Sequence, residues 1–291
     1  MWDLLLRTSP FVGSTDDFDK ACAVLVGAPM DWTTSYRPGT RFGPRSVREV
    51  SLVLELYSPY AGKTLNDVPF ADVGDVNLPF GNVTGALDRL AQVSRSLLEK
   101  DKFPLFLGGE HLISYPLIKE VAAKHPGLVV LHFDAHADLA ARFGGEKFSH
   151  ATVMRRVLEL PDVASLYQFG IRSLSEDEAT FVRESGRHGK LQQNLFDVLE
   201  PLSAALPEIA GKPVYLSLDI DVVDPAYAPG TGTPEPGGIS ARELLGAIAR
   251  LKGLNLVGAD VVEVSPVGDE SERTAALAAK VVRELLLSLV V

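Results

Sequence analysis

Cysteine is nearly absent. Cys22 is the only one in 291 residues, which excludes a disulfide framework and leaves no thiolate cluster for structural zinc. There is no basic excess either: 28 Lys and Arg face 38 Asp and Glu, a net charge of −10. That balance argues against a nucleic-acid partner and is compatible with a cationic ligand, although it also serves plain solubility. Long apolar runs are missing. The tail "VVRELLLSLVV" (281–291) carries Arg283 and Glu284 and is too short to cross a bilayer. The start, "MWDLLLRTSPF", puts Asp3 ahead of a very short apolar stretch, unlike a signal peptide. A cytoplasmic protein with no membrane contact is the expectation.

What is present is an alternation of strands and helices. Apolar, β-branched runs at 21–27, 104–109, 128–134, 165–171, 213–221 and 254–264 read as buried strands. Helical patterns occupy 83–100, 175–186, 241–253 and a closing stretch from about Glu270. Ser240 with Glu243 three residues on has the form of a capping box. Continuous apolar strands alternating with helices imply a mostly parallel sheet covered on both faces, an α/β fold. Repeats and linkers are lacking, so residues 1–291 read as one domain. The segments 34–46 and 224–238 read as Gly/Pro-rich loops.

In such sheets ligands bind beyond the carboxyl ends of the strands, and the unusual residues fall there. "HFDAHADL" (132–139) places Asp134, His136 and Asp138 on one face of an extended chain. "LSLDIDVVDP" does the same for Asp219 and Asp221, and "FLGGEHLIS" ends a third strand with Glu110 and His111. The candidate metal ligands are therefore His111, Asp134, His136, Asp138, Asp219 and Asp221. Clustered carboxylates repel one another and are costly to desolvate, and bound cations remove both penalties. The four aspartates balance two divalent ions. Mixed carboxylate and imidazole donors suit Mn²⁺ best, with Zn²⁺, Co²⁺, Fe²⁺ and Ni²⁺ as competitors. A pair of ions roughly 3.5–4 Å apart makes hydroxide available at neutral pH, the core of a hydrolase.

His132 reads as a core or supporting residue, and His125 and His188 as solvated. His150, at a helix start after a Gly-containing loop, is a candidate proton relay to a leaving amine, or else a surface histidine. Glu263, at the end of another apolar strand, is a candidate for a cationic group of the substrate, or else a partner of Arg273.

The motifs "GGEH", "DAHAD", "SHA", "SLDIDVVDP", "GTGTPEPGG" and "VEVSP", in this order, resemble those of the ureohydrolases, the arginase–agmatinase family. "GAPMDWTTSYRPGTRFGPRSVREVS" is similar to the agmatinase branch, so the resemblance spans nearly the whole chain. It implies a three-layer α/β/α sandwich assembled as a trimer or hexamer, with two Mn²⁺ per subunit. One ion would take His111, Asp134, Asp138 and Asp219; the other Asp134, His136, Asp219 and Asp221. His150 matches the family's proton-relay histidine and Glu263 its guanidinium-binding carboxylate. The implied reaction releases urea and an amine from a guanidino compound. Leu112 and Ser265 depart from the family's commoner serine and asparagine. The short stretch "LAARFGGEKFS" (139–149) lacks the polar loop with which arginase holds an amino-acid head group, so agmatine, cleaved to putrescine and urea, is the expected substrate. Arg142 keeps a guanidino acid such as 4-guanidinobutyrate open, since it would pair with a carboxylate. A two-metal phosphoesterase is disfavoured by the lack of a later Gly-Asn-His element. A one-metal deacetylase or a non-catalytic metal-binding protein is disfavoured by the complete ligand set.

Overall fold

The computed structural model describes residues 1–185 and 189–289; His188 lies outside them. In chain order the strands are β1 (Leu5–Leu6), β2 (Ala23–Ala28), β3 (Tyr57–Ser58), β4 (Lys63–Thr64), β5 (Phe70–Val76), β6 (Phe103–Gly108), β7 (Leu128–Phe133), β8 (Val163–Ile171), β9 (Leu191–Leu195), β10 (Pro213–Asp219) and β11 (Asn255–Val262). The α-helices are α1 (Gly43–Ser51), α2 (Val83–Leu98), α3 (Ser114–Lys124), α4 (Val153–Leu158), α5 (Glu176–Ser185), α6 (Leu199–Ile209), α7 (Ala241–Arg250) and α8 (Arg273–Ser288).

Nine strands form one sheet in the order β1-β5-β2-β6-β11-β10-β7-β8-β9. All pairings are parallel except that of β1 with β5. Successive strand residues point to opposite faces, and the core divides accordingly. Leu105, Leu107, Val129, Leu131, Leu216 and Leu218 pack against α1, α6, α7 and α8. Phe106, Leu128, Val130 and Tyr215 pack against α2, α3 and α4 on the other side. This is the expected three-layer sandwich. The capping box at Ser240 is formed, with Ser240 Oγ accepting from Glu243 N and Glu243 accepting from Ser240 N.

Several elements escaped the sequence pattern. β5, "FADVGDV", contains two aspartates that would be prohibitive in an unpaired buried strand. They are paired by Arg48 of α1, buried at 1% exposure, which donates to Asp72 at 2.8 and 3.0 Å and to Asp75 at 2.5 Å. β9, "LQQNL", is a polar edge strand. The 34–46 loop becomes helix at Gly43, where Pro44 sits in the first turn and fits because its missing N–H has no partner there anyway.

The last strands of the chain, β10 and β11, occupy the centre of the sheet between β6 and β7. The carboxyl ends of β6, β11, β10 and β7 are thus side by side, and each is followed by a candidate site residue. The close approach is specific: a side chain at Gly109 would collide with the backbone of Met30, so the double glycine lets β6 end against the 30s segment.

Removing Arg48 leaves buried Asp72 without its partner. Arg48→Met is expected to cost about 3–5 kcal/mol in denaturant unfolding. A loss within error of zero would show that the pair is dispensable.

Candidate metal centre

All six predicted ligands meet at the carboxyl edge. His111 Nδ1 lies 3.0 Å from Asp134 Oδ2, 3.3 Å from Asp138 Oδ2 and 3.3 Å from Asp219 Oδ2. His136 Nδ1 lies 2.9 Å from Asp221 Oδ2 and 3.6 Å from Asp134 Oδ1. Asp134 therefore faces both histidines. The backbone fixes one oxygen of several carboxylates: Asp134 Oδ1 accepts from His136 N, Asp219 Oδ1 from Asp221 N, and Asp221 Oδ1 from Ala135 N. Their Oδ2 atoms point at the imidazole nitrogens.

The tautomer of His111 follows from its neighbours. Ser217 Oγ donates to Asp260 Oδ1 at 2.8 Å, so it accepts from His111 Nε2–H at 2.9 Å. Tyr215 donates to the other Asp260 oxygen. Nδ1 then lies buried in the midst of three carboxylates, where it holds a proton in the metal-free protein and offers a lone pair only once that proton leaves. A nitrogen set among carboxylate oxygens calls for positive charge, supplied by its own proton or by a metal ion that replaces it. His132 has a different position. Gln168 donates to its Nδ1 at 3.0 Å, so its Nε2–H donates to Asp134 Oδ2 at 2.8 Å. It supports a ligand carboxylate, as expected from its place within β7.

The electrostatics report the same concentration of charge. Burial, with Asp221 and Asp134 close by, raises Asp219 well above the carboxylate range. Burial and Asp134 lift Asp138 to about 7. For His136 burial pushes downward, but Asp221 and Asp134 outweigh it and carry the ring up to about 12. Burial likewise opposes the charge on His111, and Asp134, Asp138 and Asp219 overcome it to raise that ring well above its ordinary value. Asp134, surrounded by His132, His111 and His136, is held well below the usual range in spite of burial. Backbone strain accumulates here too: Asp138 and Glu263 adopt φ of 53° and 62°, left-handed values that a non-glycine residue takes only when its surroundings compel it.

A cavity of about 190 Å³ opens onto this cluster, lined among others by Ser35, Phe143, His150, Glu178, Thr233 and Glu263. Glu263 is buried, accepts from His111 N at 2.7 Å rather than pairing with Arg273, and is raised well above its usual value by burial. His150 is lowered to about 4 by burial and is therefore neutral. Arg142 stands apart: its guanidinium donates to Gly145 O at 2.9 Å in an exposed turn, outside the residues lining the cavity. Glu178 is a lining carboxylate that the sequence hides among the acidic residues at the start of α5. It is buried and accepts from Leu139 N, Ser175 N and Ser175 Oγ. Arg172 was also missed. It donates to the carbonyls of Gly170, Asp221, Val222 and Glu235, which ties the Asp219–Asp221 turn to the 224–238 loop.

A mostly parallel α/β sheet whose carboxyl edge gathers aspartates and imidazoles around one cavity defines a metal-dependent hydrolase. The chain belongs to the arginase family, whose family model matches residues 21–288. It is 50% identical over 282 residues to the agmatinase of Bacillus subtilis (strain 168), covering 96% of each chain. It is 38% identical to the guanidinobutyrase of Pseudomonas aeruginosa, over 95% of this chain and 89% of that one. The crystal structure of the agmatine ureohydrolase of Thermoplasma volcanium superposes with a TM-score of 0.85 at 32% identity, covering 97% of this chain and 94% of that one.

The raised groups give a pH dependence. At pH 7 His136 holds a proton and Asp138 is half-protonated, while a cation takes the bare nitrogen and the ionised carboxylate. Loading metal into metal-free protein at pH 7 is thus expected to acidify a weakly buffered solution, and metal retention to weaken as pH falls below about 7. A metal titration with no pH change would refute this.

Proposed function

We infer that the chain hydrolyses agmatine to putrescine and urea. The observation that carries the substrate is the charge of the cavity. Among the described residues lining it, Glu178 and Glu263 supply carboxylates beyond the candidate ligands Asp138 and Asp219, and no lysine or arginine is present. Agmatine has a cationic group at each end. A guanidino acid would instead bring a carboxylate to a cavity whose only candidate counter-ion, Arg142, is turned to Gly145.

In this reading His111, Asp134, Asp138 and Asp219 hold one ion, and His136, Asp134, Asp219 and Asp221 hold a second, both Mn²⁺. Bound together, such ions supply Lewis acidity that brings the ionisation of water to neutral pH. Glu263 receives the guanidinium: Oε1 is occupied by His111 N, which fixes the carboxylate and leaves Oε2 facing Gly232 and the cavity. Glu178 is the carboxylate available to the amine end. Hydroxide adds to the guanidinium carbon, the bond from that carbon to the substituted nitrogen breaks, and His150 relays a proton to the departing amine. The Phe143 and His150 rings pack edge to face, with centroids 5.3 Å apart.

The reading takes residues 1–291 as one ureohydrolase domain, cytoplasmic and trimeric or hexameric, as the family resemblance implies. Among the described residues no helix is long and apolar enough to cross a membrane.

The test is urea release by manganese-loaded protein offered agmatine, 4-guanidinobutyrate, 3-guanidinopropionate, arginine and formiminoglutamate. Agmatine is expected to lead by at least ~10²-fold in kcat/KM, because an acid would bury an unpaired carboxylate. Arg142→Ala is expected to leave that order unchanged; preference for a guanidino acid, abolished by the same substitution, would reverse the assignment. His150→Asn is expected to lower kcat by ~10²-fold or more with two ions per chain retained. Undiminished turnover would remove His150 from the reaction.

A further inference from the structure

The proton-relay reading requires one particular ring nitrogen of His150 to face the reaction with a free lone pair. A neutral imidazole carries its proton on either nitrogen, and the partner of one nitrogen decides the state of the other. We propose that Thr33 and Glu110 are positioning residues that fix His150 as the Nδ1–H tautomer, so that Nε2 is the base exposed to the cavity. The proposal rests on the proton-relay reading of His150.

The assignment follows a chain of donors and acceptors. Glu110 is fully buried and accepts twice from Thr33, from N to Oε2 at 2.7 Å and from Oγ1 to Oε1 at 2.7 Å. A threonine hydroxyl has one proton and two lone pairs. With its proton committed to the carboxylate, Thr33 Oγ1 can only accept. It does so from His150 N at 3.0 Å, and its second lone pair faces His150 Nδ1 at 3.5 Å. A bare Nδ1 there would set two lone pairs against each other, so Nδ1 bears the proton. Nε2 then holds the lone pair. It lies 3.2 Å from Ser35 Oγ, a cavity-lining hydroxyl that donates to it and that a substrate or water displaces at no structural cost. The backbone bond from His150 N to Thr33 also holds the start of the His150 turn against the 31–35 segment. One hydroxyl thus sets both the place of the histidine and the place of its proton.

Thr33 lines no part of the cavity and touches no candidate ligand oxygen, so its effect on turnover passes through His150; the Glu110 charge is also felt by Glu263, which makes Thr33→Val the primary variant. Thr33→Val keeps the shape and removes the hydroxyl; Thr33→Ser restores it. Glu110→Gln is a sharper perturbation. Its single carbonyl oxygen must accept from Thr33 N, so its amide donates to Thr33 Oγ1, and the threonine proton turns toward His150 Nδ1. That reversal drives the imidazole proton to Nε2 and blocks the base.

The experiment is steady-state urea release from agmatine by manganese-loaded protein at pH 9. Thr33→Val is expected to lower kcat ~10-fold or more with KM and bound metal unchanged, and Thr33→Ser to recover most of it. Glu110→Gln is expected to reproduce the loss. In a His150→Asn background Thr33→Val is expected to add nothing, because the residue it acts through is gone. Wild-type kcat in Thr33→Val, losses that multiply with His150→Asn, or a loss expressed as KM or as lost metal would each overturn the proposal. Full activity in His150→Asn alone would instead locate the failure in the proton-relay reading and take this proposal with it.

Discussion

Everything at the carboxyl edge of this sheet is arranged around one electrostatic problem: buried aspartates brought close enough to repel one another. The protein does not relieve it with lysine or arginine. Among the aspartates it sets imidazoles, which carry protons in the metal-free protein and can exchange those protons for a metal ion. The left-handed backbone at Asp138 and the pairing of β10 and β11 with their neighbours hold an arrangement that no local preference favours. Stability elsewhere offsets it, most visibly in apolar layers that cover both faces of the sheet.

The groups behind the ligands are organised by face. Tyr215, Ser217 and Asp219 alternate with Leu216 and Leu218 along β10, so the polar line Tyr215–Asp260–Ser217–His111 runs under the site on the same side as α2 and α3. On β7 the same alternation puts His132 and Asp134 together. The period-2 geometry of strands therefore aligns a row of donors and acceptors that ends on the His111 nitrogen facing the carboxylates. Arg172 does the equivalent for the loops, holding four carbonyls that would otherwise need water.

The cluster of candidate ligands was legible in the sequence because strand ends and D-x-D spacing translate directly into shared faces. His111, Asp134, His136, Asp138, Asp219 and Asp221 needed only the rule that neighbouring parallel strands present their carboxyl ends together. Less legible were residues whose role depends on a partner far along the chain. β5 looks too acidic for a core strand until Arg48 is placed beside it, and Glu178 looks like an ordinary helix-start acid until α5 is packed against the cavity. Thr33 gave no signal, because its meaning comes from Glu110 and His150, 77 and 117 residues away. Arg142 erred in the opposite sense: its position in the sequence suggested a cavity residue, while its turn directs it back onto its own backbone.

The order of strands also dictates when the site can exist. β10 and β11 are made last yet lie in the middle of the sheet. Without those two strands the sheet would fall into two parts, β1-β5-β2-β6 and β7-β8-β9, each with an unpaired inner edge. Those edges meet only when the final two strands wedge between them like a keystone. His111 and Glu263, 152 positions apart and joined by a hydrogen bond, close in that same event. The clustered side chains, drawn from both parts of the sheet and from the ends of β10 and β11, share one cavity only in the completed strand order.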